Sequence, residues 1–495
     1  MGAPRLPQGW LAAVPCALVL GLVASRAASH KSTGSVLLLM AACAPFLLML
    51  VRDVRRTLIV LVVLDTAFQW DKNFGYNATA ANMGSLGGLN VSVTTIALAG
   101  LYLMWFAERA AARTKVNRRL LTASLPLITY LTFTALSVTV AGNKTLAVDE
   151  MAMLVQTFLL FIYIAGSIRT SDDVRFVAAA IVTCLFVESL LTLLLPFVGH
   201  QKLLGISTYA QAQQVGNGTD SRFGGTIGAP NTAAAFFSLL IAPAVVLATA
   251  PVSRRVRRVS VLAVLLATLA LILTLSRGGW LAFIVSFAFL SIAGVKRGWL
   301  SPKVPVIFVV VLTIIVLPFA GTLAQRITGN DYNSAAGRLP LIRLAETVIK
   351  NHPVLGIGVN NLGLVFPHYA GPQYSGDWIY TVHNKYLLVW AESGIGALIG
   401  FVWFLLSTVR RGWRLWHGHD PLLAPLALGL TAGIIGQMVH MSVDIFQSRP
   451  QVQLLWLVAG LLVAMERVAW SEGRNVASTE AASAARPPTQ VAAVA

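Results

Sequence analysis

Charge is scarce in this 495-residue chain, with only 11% of positions Asp, Glu, Lys or Arg. A soluble domain is about one quarter charged and less than half apolar, so 56% hydrophobic residues exclude an ordinary water-soluble fold. Acids are rarest, 19 against 37 Lys and Arg. The long polar stretches hold only isolated ones (Asp220, Asp331, Asp377), and without paired carboxylates there is no oxygen cage for a Mg²⁺. Cys16, Cys43 and Cys184 all fall inside apolar runs, which leaves no disulfide framework and no zinc site. The alternating ten-residue segments of a membrane β-barrel are missing too. So is a small-residue processing site behind the first apolar run, 10–24, which therefore reads as a retained span.

What remains is a succession of apolar runs of roughly 17–22 residues, the length a helix needs to cross a hydrocarbon core about 30 Å thick. We place spans near 10–25, 35–51, 57–70, 89–107, 120–141, 147–166, 176–197, 231–250, 259–276, 279–294, 304–320, 385–406, 421–443 and 451–467. The expected fold is an all-α polytopic membrane protein with about 12–14 transmembrane helices. The net charge of +18 does not point to nucleic acid. Its basic residues cluster between spans, around Arg52–Arg56, Arg109–Arg119, Arg254–Arg258, Lys296–Lys303 and Arg410–Arg414, as the positive-inside rule describes for cytoplasmic loops. Both termini then lie in the cytoplasm. Residues 1–470 form one transmembrane domain, and 471–495, rich in Ala, Ser, Pro and Thr, read as a disordered tail.

Two outer loops are long, 199–231 and 321–384, and loops of that length without a core of their own are functional or disordered. The second holds a helical segment, 340–350. At about 100° per residue, Arg343, Glu346 and Lys350 share a polar face, and Leu341, Ile342, Ala345, Val348 and Ile349 an apolar one. Extended back one turn, the helix carries Arg338 over the apolar side, toward the membrane domain. We expect it to lie flat on the bilayer and cap something.

The outer side also collects the residues able to do chemistry. Arg277, in Ser276-Arg277-Gly278, sits between two apolar runs with almost no loop. Such an arginine either snorkels to headgroup phosphates or forms a fixed anion site, its planar fork matching phosphate oxygens. Arg222 precedes Gly224-Gly225 and the helix start Pro230-Asn231. His352 begins His352-Pro353-x-x-Gly356-x-Gly358, where turn and capping roles suit it better than catalysis. His383, with Asn384 beside it, opens the apolar run leading through Glu392-x-Gly394. A single histidine at an interface is ordinarily polar filler. Three arginines on the same side of the membrane favour a site instead.

Arg222 with its Gly and Pro-Asn follow-up, Ser276-Arg277-Gly278, Gly337-Arg338, His352-Pro353-x-x-Gly356-x-Gly358 and His383-Asn384 to Glu392-x-Gly394 together resemble the family of O-antigen ligases and polysaccharide polymerases. The likeness covers about residues 200–410 in order and spacing. It implies a metal-independent GT-C type glycosyltransferase of the bacterial inner membrane, without cofactor, whose donor is a glycan on undecaprenyl diphosphate used at the periplasmic face. By carry-over, His383 is the general base on the acceptor hydroxyl. Arg277 and Arg338 act on the departing diphosphate, and Arg222, Asn384 and Asn231 bind substrate. The acceptor is a growing saccharide chain for a polymerase, the first reading, or lipid A-core for a ligase. A polysaccharide chain-length regulator is a further expected partner. A related protein oligosaccharyltransferase ranks third within the class. A transporter or lipid flippase, suggested by Asp65, Glu188 and Asp444 in or near spans, is the rival from another class.

Overall fold

The structure is a computed structural model, and it describes residues 53–112, 118–198, 202–203, 206–207, 210–212, 221–328, 338–369 and 380–484. The expected spans at 10–25 and 35–51 lie outside these residues, as do Gly337, Asp220, Asp331 and Asp377. The protein is all-α and polytopic. Among the described residues ten helices are long and apolar enough to cross a membrane.

The chain begins with α1 (Val54–Phe68). A two-stranded hairpin follows, β1 (Asp71–Phe74) and β2 (Leu89–Ser92), with the short α2 (Ala78–Asn82) in its connection. Next come α3 (Val93–Ala112), α4 (Arg118–Ser137), α5 (Lys144–Ser167) and α6 (Ser171–Val198). Short strand pairs β3 (Lys202–Leu203) with β4 (Ile206–Ser207), and β5 (Ala210–Ala212) with β6 (Ser221–Phe223), lead into the next helical run. That run is α7 (Pro230–Thr249), α8 (Arg254–Leu273), α9 (Arg277–Lys296), α10 (Lys303–Val316) and α11 (Ala320–Thr328). Then follow α12 (Arg338–Asn351), α13 (Leu362–Tyr369), α14 (Lys385–Trp416), α15 (Leu423–His440) and α16 (Arg449–Ala484).

Helix starts follow local chemistry. Asn143, Ser253 and Ser276 each accept a first-turn amide hydrogen bond, the usual remedy for unsatisfied N–H groups. α7 is lined by α8, α9 and α15, and α14 packs on α4 and α15. The most apolar windows of α7, α15 and α16 are largely buried, whereas the span from Lys303 to Thr328 buries nothing of its own. Lipid is the solvent for that surface, so exposed Ile314 and Leu317 carry no penalty.

The two ends of the bundle differ. At one end the basic loops converge: Arg55 donates to Ser167 O at 2.7 Å, Arg411 pairs with Glu466 at 3.3 Å, and Trp299 Nε1 reaches Trp416 O at 3.3 Å. At the other, Arg449 pairs with Asp65 and Asp71, each at 2.8 Å, which pins α16 to α1 and the hairpin. Arg222, Arg277, Arg338 and His383 all sit at this second end.

Three differences from the sequence reading have physical causes. The helix expected at 304–320 runs on through a 3-10 turn to Thr328, because residues 321–328 keep helical spacing, so the long loop starts later than residue 321. α12 does begin at Arg338, but its buried face, including Leu341, Ala345 and Val348, packs on α13 and α14 rather than on lipid. Finally, α16 continues to Ala484, past the start of the stretch expected to be disordered at 471, because Ala-rich sequence favours helix.

Candidate active site

The break between α8 and α9 is the foundation of the site. Leu275 holds φ +51°, uncommon for a branched side chain, and Ser276 accepts from Gly279 N to start α9 at Arg277. This turn points two carbonyls away from any helix, and arginines take both. Arg222 Nε donates to Thr274 O at 2.9 Å, and Arg326 Nε to Leu275 O at 3.1 Å. Arg222 Nη2 also donates to Asn231 Oδ1 at 2.8 Å, at the start of α7. Arg338 Nη1 donates to Val443 O at 3.2 Å, in the turn after α15. A Cβ at Gly278 would stand 2.8 Å from Val443 and 3.0 Å from the His440 ring, so only glycine admits this approach of α9 to α15.

Four guanidiniums thus gather where five elements meet. Burial, and then the fields of Arg326, Arg338 and Arg277, push the Arg222 guanidinium down to about 10. Like charges assembled in partial shelter from water repel one another, and a multivalent anion bound among them relieves that cost. The N-terminus of α9 adds its own dipole to Arg277.

His383 lies beside this cluster and is held from both sides. Thr381 N donates to Met83 O at 3.0 Å, and Lys385 N donates to Met441 O at 2.8 Å. The Tyr380 ring lies 5.4 Å from the imidazole, centroid to centroid. Burial first, then the positive field of Arg338, push the His383 imidazole down to about 4, with the Asp444 carboxylate acting in the opposite sense. The ring is therefore neutral at physiological pH and able to accept a proton. It lines a cavity of about 390 Å³ whose walls combine polar groups, among them Asn73, Tyr76, Asn231, Asp444 and Gln451, with the apolar Leu86, Ile445 and Phe446. Asn231 serves both features, lining the cavity and accepting from Arg222.

The structure therefore brings together His383, Arg222, Arg277, Arg338 and Asn231. Asn384 is committed differently: its Oδ1 accepts from Tyr386 N at 3.0 Å and Leu387 N at 3.1 Å, capping α14. His352 stands apart, bonded to Tyr369 Oη at 2.7 Å at the end of α12, which suits a structural role. The glycines behind it lock onto α14. Gly358 N donates to Glu392 O at 2.9 Å and Ile357 N to Ala391 O at 3.1 Å. Gly394 breaks the helix there with φ +79° and ψ 176°, a region essentially restricted to glycine.

Arg326 and Tyr380 escaped the sequence reading, and Asp444 entered it only as a mark of an ion pathway. Arg326 and Asp444 sit at the ends of apolar runs, and an isolated charge at a span end was the available signal. The three acids that suggested an ion pathway are each locally satisfied. Asp65 pairs with Arg449, Glu188 accepts from Thr226 N at 3.0 Å, and Asp444 accepts from Phe446 N at 3.1 Å and Gln451 Nε2 at 2.9 Å. Among the described residues no group of three or more His, Cys, Asp or Glu side chains is placed to share a metal ion.

No curated protein matches the chain. The family model described as O-antigen ligase matches residues 262–402, a segment that contains Arg277, Arg326, Arg338 and His383 and is flanked by Arg222 and Asp444. Over that segment the chain is similar to the O-antigen ligase family.

Proposed function

We propose that the protein transfers a glycan from an undecaprenyl-diphosphate donor to an acceptor sugar hydroxyl at the periplasmic face of the bacterial inner membrane. The observation that carries this reading is the adjacency of four guanidiniums, a neutral imidazole and a cavity of mixed polar and apolar lining at the end of the bundle opposite the basic loops. The positive-inside rule puts those loops in the cytoplasm and the site outside.

In this reaction the acceptor hydroxyl, seated in the cavity, loses its proton to His383 as its oxygen bonds to the anomeric carbon. The bond from that carbon to the diphosphate oxygen breaks, and its electron pair leaves with the diphosphate. The arginines hold the diphosphate and stabilise the charge that accumulates as it departs. Their own positive charge does this in place of a metal ion. Bound diphosphate also offsets the field of Arg338, which strengthens His383 as a base once the donor is in place. Asn384 contributes by fixing the start of α14, next to His383.

Polymerisation of lipid-linked repeats is our first reading, and the matched family description favours the second, transfer of the finished chain to lipid A-core. Purified protein supplied with synthetic lipid-diphosphate repeats, with and without lipid A-core, separates them. A ladder without lipid A-core marks a polymerase, and one shift that requires it marks a ligase. No glycan product, with labelled lipid moving across proteoliposomes, returns the transporter reading.

A further inference from the structure

The opposite end of the bundle carries a second concentration of arginines. Between α4, the turn joining α5 to α6, and α16 lies a cavity of about 430 Å³ walled by Arg118, Arg119, Arg169, Arg467 and Trp470. The carbon of the Arg119 guanidinium sits 3.6 Å above the centre of the Trp470 ring, a cation–π contact that holds the fork at the mouth. Arg467 is partly buried and anchored by donation to Ala165 O. The neighbouring carboxylates are committed elsewhere. Asp173 accepts from Arg169 N at 3.1 Å and Thr170 N at 3.3 Å, Glu472 accepts from the Ser171 hydroxyl, and Glu466 pairs with Arg411 and Arg414. The floor is apolar, made by the buried Ile168 and Val468.

We propose that this pocket binds the phosphate of an anionic phospholipid headgroup, with Trp470 and the apolar floor receiving the glycerol and upper acyl region. A cationic rim between helix ends over an apolar floor matches an amphiphile with an anionic head, and basic pockets between transmembrane helices are known to take such heads. A tryptophan at this depth is the usual interfacial anchor. The site is remote from His383 and does not depend on the transfer reaction.

The test is native mass spectrometry of the full-length protein titrated with tetraoleoyl cardiolipin, dioleoyl phosphatidylglycerol or dioleoyl phosphatidylcholine, with inorganic phosphate as competitor. Arg118→Gln/Arg119→Gln is the pocket variant, and Arg254→Gln/Arg255→Gln, on exposed positions of α8, is the control. Losing two phosphate-facing arginines is expected to weaken binding of the anionic lipids roughly 30-fold. The control and the phosphatidylcholine titration stay unaffected. Displacement by millimolar phosphate in the wild type alone assigns the same anion site to a soluble phosphate instead of a lipid. Equal retention of phosphatidylcholine, or an equal loss in the control variant, overturns the proposal. Should the double variant unfold, Arg119→Lys keeps the charge but loses the stack on Trp470, and undiminished lipid retention there refutes the role of that stack.

Discussion

Acidification separates the site described here from a solvent-exposed histidine. An unperturbed imidazole titrates at about 6.5, so at pH 5.5 only about one tenth of it would be neutral. His383 is pushed down to about 4, first by burial and then by Arg338. At pH 5.5 it is therefore about 97% neutral by the same arithmetic. If His383 is the base, kcat/KM, which reports the free enzyme, changes by only a few per cent between pH 7.5 and 5.5 rather than falling about tenfold. Two variants carry opposite signs. Arg338→Gln removes a positive neighbour and moves the acid limb toward higher pH, whereas Asp444→Asn removes a negative one and moves it lower. Because the bound donor is anionic, the limb in kcat lies at higher pH than the limb in kcat/KM. The assay is initial-rate transfer from a fluorescent lipid-diphosphate oligosaccharide at saturating and sub-saturating donor. A limb near 6.5 in kcat/KM, unmoved by either variant, would refute the assignment.

Other outcomes follow from single residues. His383→Ala abolishes glycan transfer while the thermal unfolding midpoint stays close to wild type, and retained activity would remove His383 as base. Arg277→Lys keeps the charge but loses the fork, so transfer falls at least tenfold; wild-type rates would return Arg277 to a headgroup-snorkelling role. Gly394→Ala forces a Cβ against Val354 O at a backbone angle that suits glycine. A destabilisation of roughly 2–6 kcal/mol is expected in denaturant unfolding, and an unchanged midpoint would contradict the kink geometry.

Much of this architecture was legible because the bilayer imposes length and apolarity on each span, and both survive in one dimension. Arg277 could be placed in the break between two spans because apolar runs flank it with almost no loop, though that it starts a helix was not read. Asn384 was expected to bind substrate; its capping role depends on the extended backbone at that residue, which composition does not reveal. Arg326 was missed because its run of helix continues past residue 320, where the expected span ends and a long loop was expected to begin. Asp444 and Tyr380 meet His383 only through the packing of α15, α14 and the 83–84 turn, and such contacts leave no periodic trace. The glycines at 356, 358 and 394 were visible as a set. That Ile357 and Gly358 bond to the α14 backbone just before Gly394 emerged only from the hydrogen bonds to Ala391 and Glu392.

The account stands most directly on donor turnover. Purified wild-type protein, an acceptor and a lipid-diphosphate glycan should release free lipid diphosphate in one-to-one proportion with new glycosidic product. Arg222→Gln and His383→Ala proteins, folded and membrane-inserted, should release neither. Equal turnover by those variants would show that the guanidinium cluster and its imidazole neighbour are not where the glycan is transferred.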